Sequence, residues 1–394
     1  MDWKSAAKKA ESLYQVPERW LHIHYYEALN ILFRVENSLR VFVYVILKNN
    51  LYDEWFKAII PGPEGSTGTI ESIAKKRMSQ AKTFGYLGYE VTCPIMHLSS
   101  GELINIIISE AYWKHFSPYF KASKEIITNK LEEIGAIRNS IAHFRPIKTD
   151  DVEVIKQNAK HALMAIEECL LAMTSTFNVV PTNTSENWYK NLSTLGNQST
   201  KITIYQSKNL DWIRILLSFT SRILNMERFN DFISYQILNL LSPQVINKYL
   251  SISKYCTYLS ETIPAVYMKD DWRPDFRKEV SLVFWRQSLV DNYKIIHKDL
   301  IDFLAKLTEE EELVGQDHLA KGEFVESVNT YASLTGEEEH KYWNISTWAL
   351  RCPFEKNYPA EYWGDIAFYS RDFIAGSMQY PWMPSNISKP EPLF

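Results

Sequence analysis

The chain has 394 residues, 46% of them hydrophobic and 23% charged, with a net charge of −4. That composition excludes a disordered or fibrous protein and supplies enough apolar material for two or three domains. The slight acidity also argues against a protein that coats long stretches of nucleic acid, although a local basic cleft can sit on a near-neutral surface.

Cys93, Cys169, Cys256 and Cys352 are far apart and form no C-x-x-C pair. That pattern suits neither a zinc site nor a disulfide scaffold, and scattered thiols fit a reducing cytosol, so a cytoplasmic location is expected. The N-terminus lacks the apolar core of a secretory signal, and no run of about 18 uncharged apolar residues predicts a membrane span. No metal and no cofactor is expected.

Residues 1 to 19 read as a short helix or a loose arm. From Trp20 to Lys48 the apolar positions fall three and four apart, which predicts a helix. Glu36 and Arg40 lie four apart on it and share a face. Residues 61 to 70 form a Gly/Pro-rich loop that matches no phosphate-binding pattern. Ile70 to Gly85 carries Lys75, Lys76, Arg77 and Lys82, the densest basic segment in the chain. It is either a solvated helix face or a phosphate-contacting one. Ser99 and Glu102 have the spacing of a capping box, which starts a helix predicted to reach about His115.

Another helix is predicted from about Ser123 through Ile141, with Arg145-Pro146 ending it, because the residue before proline is pushed out of the α region. Asp150 opens the next, which extends to about Phe177. The polar segment 178 to 187 marks a domain boundary.

Beyond it, Lys201 to Tyr205 alternates like a short strand. Asp211 to Asn225 and Arg228 to Leu241 read as helices, Ser242-Pro243 opens a short one, and Asp275 to Leu307 reads as one long helix or two. Glu309 to Glu312 reads as a solvated helix end. From Trp343 the chain is aromatic-rich, and Pro359 to Tyr369 suits either packing or base stacking. The fold expected is mainly α: a helical bundle over residues 1–178, then a second mostly helical domain with little strand over residues 185–394.

His22 and His24 point to different sides of a helix, and Cys93 with His97 lacks a second ligand pair, so neither makes a metal site. The stretch that carries chemistry is Ile137-Arg138-Asn139-Ser140-Ile141-Ala142-His143. An arginine, a polar residue and a histidine five positions after the arginine sit at the end of an amphipathic helix, after a run of helices. This resembles the R-x4-H signature of HEPN ribonucleases, over residues of about 20 to 178, and is most similar to the abortive-infection and Swt-like members.

The resemblance implies a metal-independent endoribonuclease. His143 would take the proton from a 2′-OH, and Arg138 would offer a two-pronged cation to the phosphate. Asn139 would orient the imidazole or bond the phosphate. Glu36 and Arg40 would brace the site, and Lys75, Lys76, Arg77 and Arg145 would contact RNA, with tRNA or mRNA as substrate. Five residues at about 100° each leave Arg138 and His143 roughly 140° apart on an ideal helix. The resemblance therefore implies a homodimer that builds the site from two copies, with a phage-derived trigger or an antitoxin as a further partner. The alternatives are a non-catalytic HEPN scaffold that binds RNA or protein, and a structural Arg-Asn pair with a histidine favoured by the helix dipole.

Overall fold

In the computed structural model, the described residues are 7–10, 13–15, 23–62, 67–83, 93–143, 145, 147–176, 179–268, 272–336, 340–353 and 358–365. The chain opens on an antiparallel hairpin, β1 (Ala7–Ala10) and β2 (Leu13–Gln15), where the sequence predicts a short helix or an arm. The helix α1 (Ile23–Leu51) follows as the axis of the first unit. Phe42 to Leu47 are buried without interruption. A helix apolar all round is covered on every side, and α1 lies between other helices and a β-sheet.

A small hairpin, β3 (Ile59–Pro61) and β4 (Thr67–Thr69), leads into α2 (Ile70–Thr83). The capping box at Ser99 forms as its spacing suggests: Ser99 N donates to Glu102 Oε2 at 2.7 Å, and α3 (Ser100–Ile108) begins there. It ends well short of His115. Ser109 turns extended, and the helix resumes only as the single turn α4 (Trp113–Phe116). Next come α5 (Lys124–Ala142) and α6 (Thr149–Thr174), whose first turn is closed by Lys148 N donating to Asp151 Oδ2 at 2.7 Å. Both pack on α1 through Ile127, Leu131, Ile134, Ile155 and Ile166.

The second half is not mainly helical. After α7 (Asn187–Ser193), the chain forms β5 (Thr200–Gln206), β6 (Trp212–Thr220), β7 (Ile223–Phe229) and β8 (Phe232–Leu240). Two short helices, α8 (Pro243–Lys248) and α9 (Leu250–Tyr255), precede β9 (Cys256–Thr262) and β10 (Arg277–Trp285). The long helix α10 (Arg286–Gly315) and the strands β11 (Val325–Thr335), β12 (Tyr342–Ile345) and β13 (Tyr362–Asp365) complete the described chain. One sheet has the order β13-β9-β10-β6-β5 and the other β12-β11-β8-β7. All pairings are antiparallel except β13 on β9.

The predicted helix at Asp211–Asn225 is therefore β6 and the start of β7, and the one at Arg228–Leu241 is the end of β7 and β8. The reason is burial. From Trp212 to Leu217 every residue is buried, because β6 lies inside the five-stranded sheet with both faces covered. A strand of that kind shows a continuous apolar run rather than alternation, and periodicity cannot separate it from a buried helix. The stretch predicted as helix from Asp275 is likewise β10 first and α10 only from Arg286.

The sheet is the middle layer of three. Trp212, Tyr258 and Val283 project into the helical core, whereas Ile213, Ile215, Leu217, Leu282 and Phe284 meet Leu289, Ile296, Leu300 and Phe303 of α10 on the other face. The helical unit is also joined to the sheet by polar contacts. Tyr44 Oη donates to Thr257 O at 2.7 Å, and the buried Lys48 pairs with Glu361 Oε1 at 2.5 Å. The aromatic segment near Pro359 is used for packing where it is described: Trp363 stacks on Tyr258 at 4.3 Å, and Tyr362 is buried.

The acidic run on α10 is exposed at Glu309 and Glu312 but not at Glu310. Glu310 is buried and accepts from the backbone N–H groups of Glu323, Phe324 and Val325, so it anchors the loop that leads into β11. Among the described residues, no helix is long and apolar enough to cross a membrane.

Candidate functional site

The R-x4-H motif occupies the last turns of α5. Ile134 and Ile141 are buried against the core, which fixes the rotation of the helix and turns Arg138 toward α1. Its Nε donates to Glu36 Oε2 at 3.3 Å. The same carboxylate takes a guanidinium nitrogen of Arg40 on its other oxygen. Arg40 also donates to Asn37 Oδ1 at 3.0 Å and to the carbonyl of Leu98 at 3.3 Å. Glu36 thus bridges two arginines. The Glu36 and Arg40 side chains are each 15% exposed, whereas Arg138 keeps 34% of its side chain open to solvent. The group offered to solvent is the arginine of the motif, and the bracing pair lies behind it.

The network continues into α2. Arg77 grips Glu102 with both nitrogens, at 2.7 and 2.9 Å, and also reaches the carbonyl of His97. The consecutive carbonyls of His97 and Leu98 therefore hold one arginine from α2 and one from α1. Glu102 closes the capping box of α3 as well, so one side chain starts a helix and docks another. A fork on a carboxylate is a fixed geometry and ties the basic helix to the segment that carries Arg40.

His143 is the C-cap residue of α5, and its backbone N–H bonds back to the Asn139 and Ile141 carbonyls. Its side chain is exposed, as is that of Asn139. The structure thus brings Glu36, Arg40 and Arg138 together and leaves His143 on the solvent side of the same helix end. Arg138 and His143 share no hydrogen bond among those recorded for the described residues.

Of the residues expected to touch RNA, Lys75 is paired with Glu71 at 2.5 Å, Lys76 is exposed, and Arg77 is committed to Glu102. Arg145 is exposed, two residues past His143, with its backbone N–H held by the Ser140 carbonyl at 2.9 Å. His22 lies outside the described residues, and of the side chain of His24 nothing is described.

Asn37 and Glu102 belong to the network although the sequence does not single them out for it. For Glu102 a signal existed, since its capping spacing already made it a structured carboxylate. For Asn37 there was none beyond its place one residue after Glu36.

Replacing Glu36 with Ala leaves two guanidinium groups facing each other in a half-buried position without a counter-ion. The expected result is a loss of about 1–3 kcal/mol of stability, the usual consequence of orphaning buried charged donors. Urea unfolding measures it, and Glu36→Gln should recover part of the loss. Comparison with protein-family models, with curated proteins and with solved structures gave no match.

Proposed function

We propose that the chain is a metal-independent endoribonuclease whose active groups are Arg138 and His143. One observation supports this more than any other. Arg138 is held from behind by Glu36, with a third of its side chain still open, at the helix end where His143 is presented to solvent. In the reaction, His143 takes the proton of a ribose 2′-OH. The 2′-oxygen bonds to the adjacent phosphorus, and the bond from phosphorus to the 5′-oxygen breaks. Arg138 neutralises the charge that gathers on the phosphorane oxygens. Arg145 and Lys76, both exposed, are free to contact flanking phosphates, whereas Lys75 and Arg77 serve structural pairs. Asn139 is exposed one helical turn before His143 and is placed to bond the phosphate.

The two active groups diverge around α5, so the site is completed by a second copy. The exposed Ile126 on α5 and the exposed Val154, Met164 and Leu171 on α6 supply apolar surface for an isologous homodimer. Single-stranded loops are the natural substrate, because in-line attack needs a flexible ribose. A tRNA loop or an mRNA fits that need. A role in prokaryotic abortive infection, in the cytoplasm and under a phage-derived trigger or antitoxin, rests on the motif resemblance alone.

A second reading is favoured by the same geometry. Arg138 is partly neutralised by Glu36, and one chain does not unite it with His143, which suits a domain that binds RNA or protein without cutting. The end groups of the products separate the two. The ribonuclease reading predicts fragments that end in a 2′,3′-cyclic phosphate with a free 5′-OH; fragments with 5′-phosphates would reject it, and binding without fragments would support the scaffold.

A further inference from the structure

The four-stranded sheet buries one face and leaves the other open. Ile233, Tyr235, Ile237 and Ala332 point inward and pack on Phe276 and Leu350. Side chains alternate along a strand, so the residues between these point outward. The register sets the outward residues side by side: Phe229 faces Phe232, Ser234 faces Tyr331, and Thr335 faces Tyr342. None of them is buried.

Two features set this face apart from an ordinary solvated sheet. The first is aromatic. Phe229, Phe232, Tyr331 and Tyr342 are 39% to 63% exposed, one on each strand. Phe232 and Tyr331, on the two central strands, stack with ring centroids 5.5 Å apart at 20°, and Phe229 extends the group at 6.4 Å from Phe232. A single exposed ring needs no explanation, whereas a contiguous group on one face marks a binding surface. The second feature is the lack of charge. Around the rings stand the exposed amides Asn225, Gln236, Asn329 and Asn344. Glu227 is the one charged residue at an outward position of the four strands, in a chain where 23% of the residues are charged. Arg228, next to it, points inward and lies over the Trp272 ring at 3.9 Å.

We propose that this face binds a neutral oligosaccharide, with the Phe232–Tyr331 pair as its stacking platform. The C–H face of a pyranose ring is apolar and lies flat on an aromatic ring, whereas its hydroxyls both donate and accept hydrogen bonds. Amide side chains also do both, so the asparagines and the glutamine around the platform match them. Four strands about 4.8 Å apart span roughly 14 Å, room for several sugar units. Nucleic acid is disfavoured, because phosphate contacts need lysine or arginine and the sole charge here is a carboxylate. An acidic membrane surface fails on the same ground. A purely apolar ligand would strip water from the amides without replacing its hydrogen bonds.

The test is calorimetric titration of the full-length chain with maltohexaose, cellohexaose, xylohexaose and mannohexaose. No RNA is present, so the result is independent of the ribonuclease reading. At least one sugar is expected to bind with a dissociation constant of about 1 mM or tighter. Phe232→Ala and Tyr331→Ala, at exposed positions, should each weaken it at least tenfold with an unchanged melt, and Glu227→Gln should not. Binding of a single-stranded RNA and the population of dimer are measured on the same variants, by anisotropy and by light scattering. The proposal is overturned if none of the four sugars binds up to about 10 mM, if folded Phe232→Ala and Tyr331→Ala bind the sugar like the wild type, or if these variants instead lose RNA binding or dissociate a dimer.

Discussion

Glu261→Ala is expected to cost about 3–5 kcal/mol of stability, the range for leaving one partner of a buried ion pair alone. Lys278 is wholly buried where the two sheets meet, and its ammonium lies 2.9 Å from Glu261 Oε2. It also donates to the carbonyls of Leu240 at 2.8 Å and Leu350 at 2.7 Å. Glu261 in turn accepts from Ser242 Oγ at 2.5 Å and from the backbone N–H of Cys352 at 2.8 Å. All three ammonium protons and both carboxylate oxygens are thus engaged.

Removing Glu261 strands an ammonium in the core and leaves Ser242 and the Cys352 N–H without their acceptor. Lys278→Met should cost a similar amount, since it abandons a carboxylate and two carbonyls. The double variant Glu261→Ala with Lys278→Met removes both charges and should recover part of the loss. Recovery should be incomplete, because the carbonyls and the Cys352 N–H remain orphaned. Urea unfolding of the four proteins gives the cycle. A loss below about 1 kcal/mol for either single variant would mean that the pair reaches water.

The second large effect is on cleavage. His143→Ala should lower the RNA cleavage rate by about 10² to 10⁴, the usual contribution of a general base. Its side chain is exposed and caps nothing through the imidazole, so the melting temperature should hardly move. Arg138→Ala should lower the rate comparably, and Arg138→Lys should recover little, because an ammonium cannot fork a phosphate. The dimer adds a sharper expectation. Co-expressed Arg138→Ala and His143→Ala chains form mixed dimers with one intact composite site of two. Such a preparation should regain about a quarter of wild-type activity, since half of the dimers are mixed. No recovery would place both groups in one chain.

The helical unit was largely legible in the sequence, because amphipathic helices with one solvated side show their period. α1, α5 and α6 fall close to their predicted spans, and the Ser99–Glu102 box marked the start of α3. The sheets were hidden by their burial. β6 and β10 have both faces covered, so Trp212 to Phe219 reads as an apolar run interrupted only by Arg214 and Ser218, without the alternation that marks a strand. The alternation of Ile233, Tyr235 and Ile237 on β8 was there to be read as a strand. Glu310 was misjudged because a run of four glutamates suggests solvent, and only the loop that folds back onto α10 turns one of them into an anchor.

At the site, the i, i+4 spacing of Glu36 and Arg40 announced their pairing. What spacing could not reveal was the arginine from α5, 102 residues away, that completes it. Arg77 shows the opposite case: its place in a basic run suggested phosphate contact, and its fork on Glu102 is a tertiary contact that no local pattern encodes.

The most direct test incubates the purified wild-type chain and His143→Ala with total tRNA and with mRNA in EDTA, followed by denaturing gels. Discrete fragments from the wild type alone, formed despite the chelator, are the predicted result. Equal cleavage by both proteins, or cleavage abolished by EDTA, would contradict a metal-independent site built on His143.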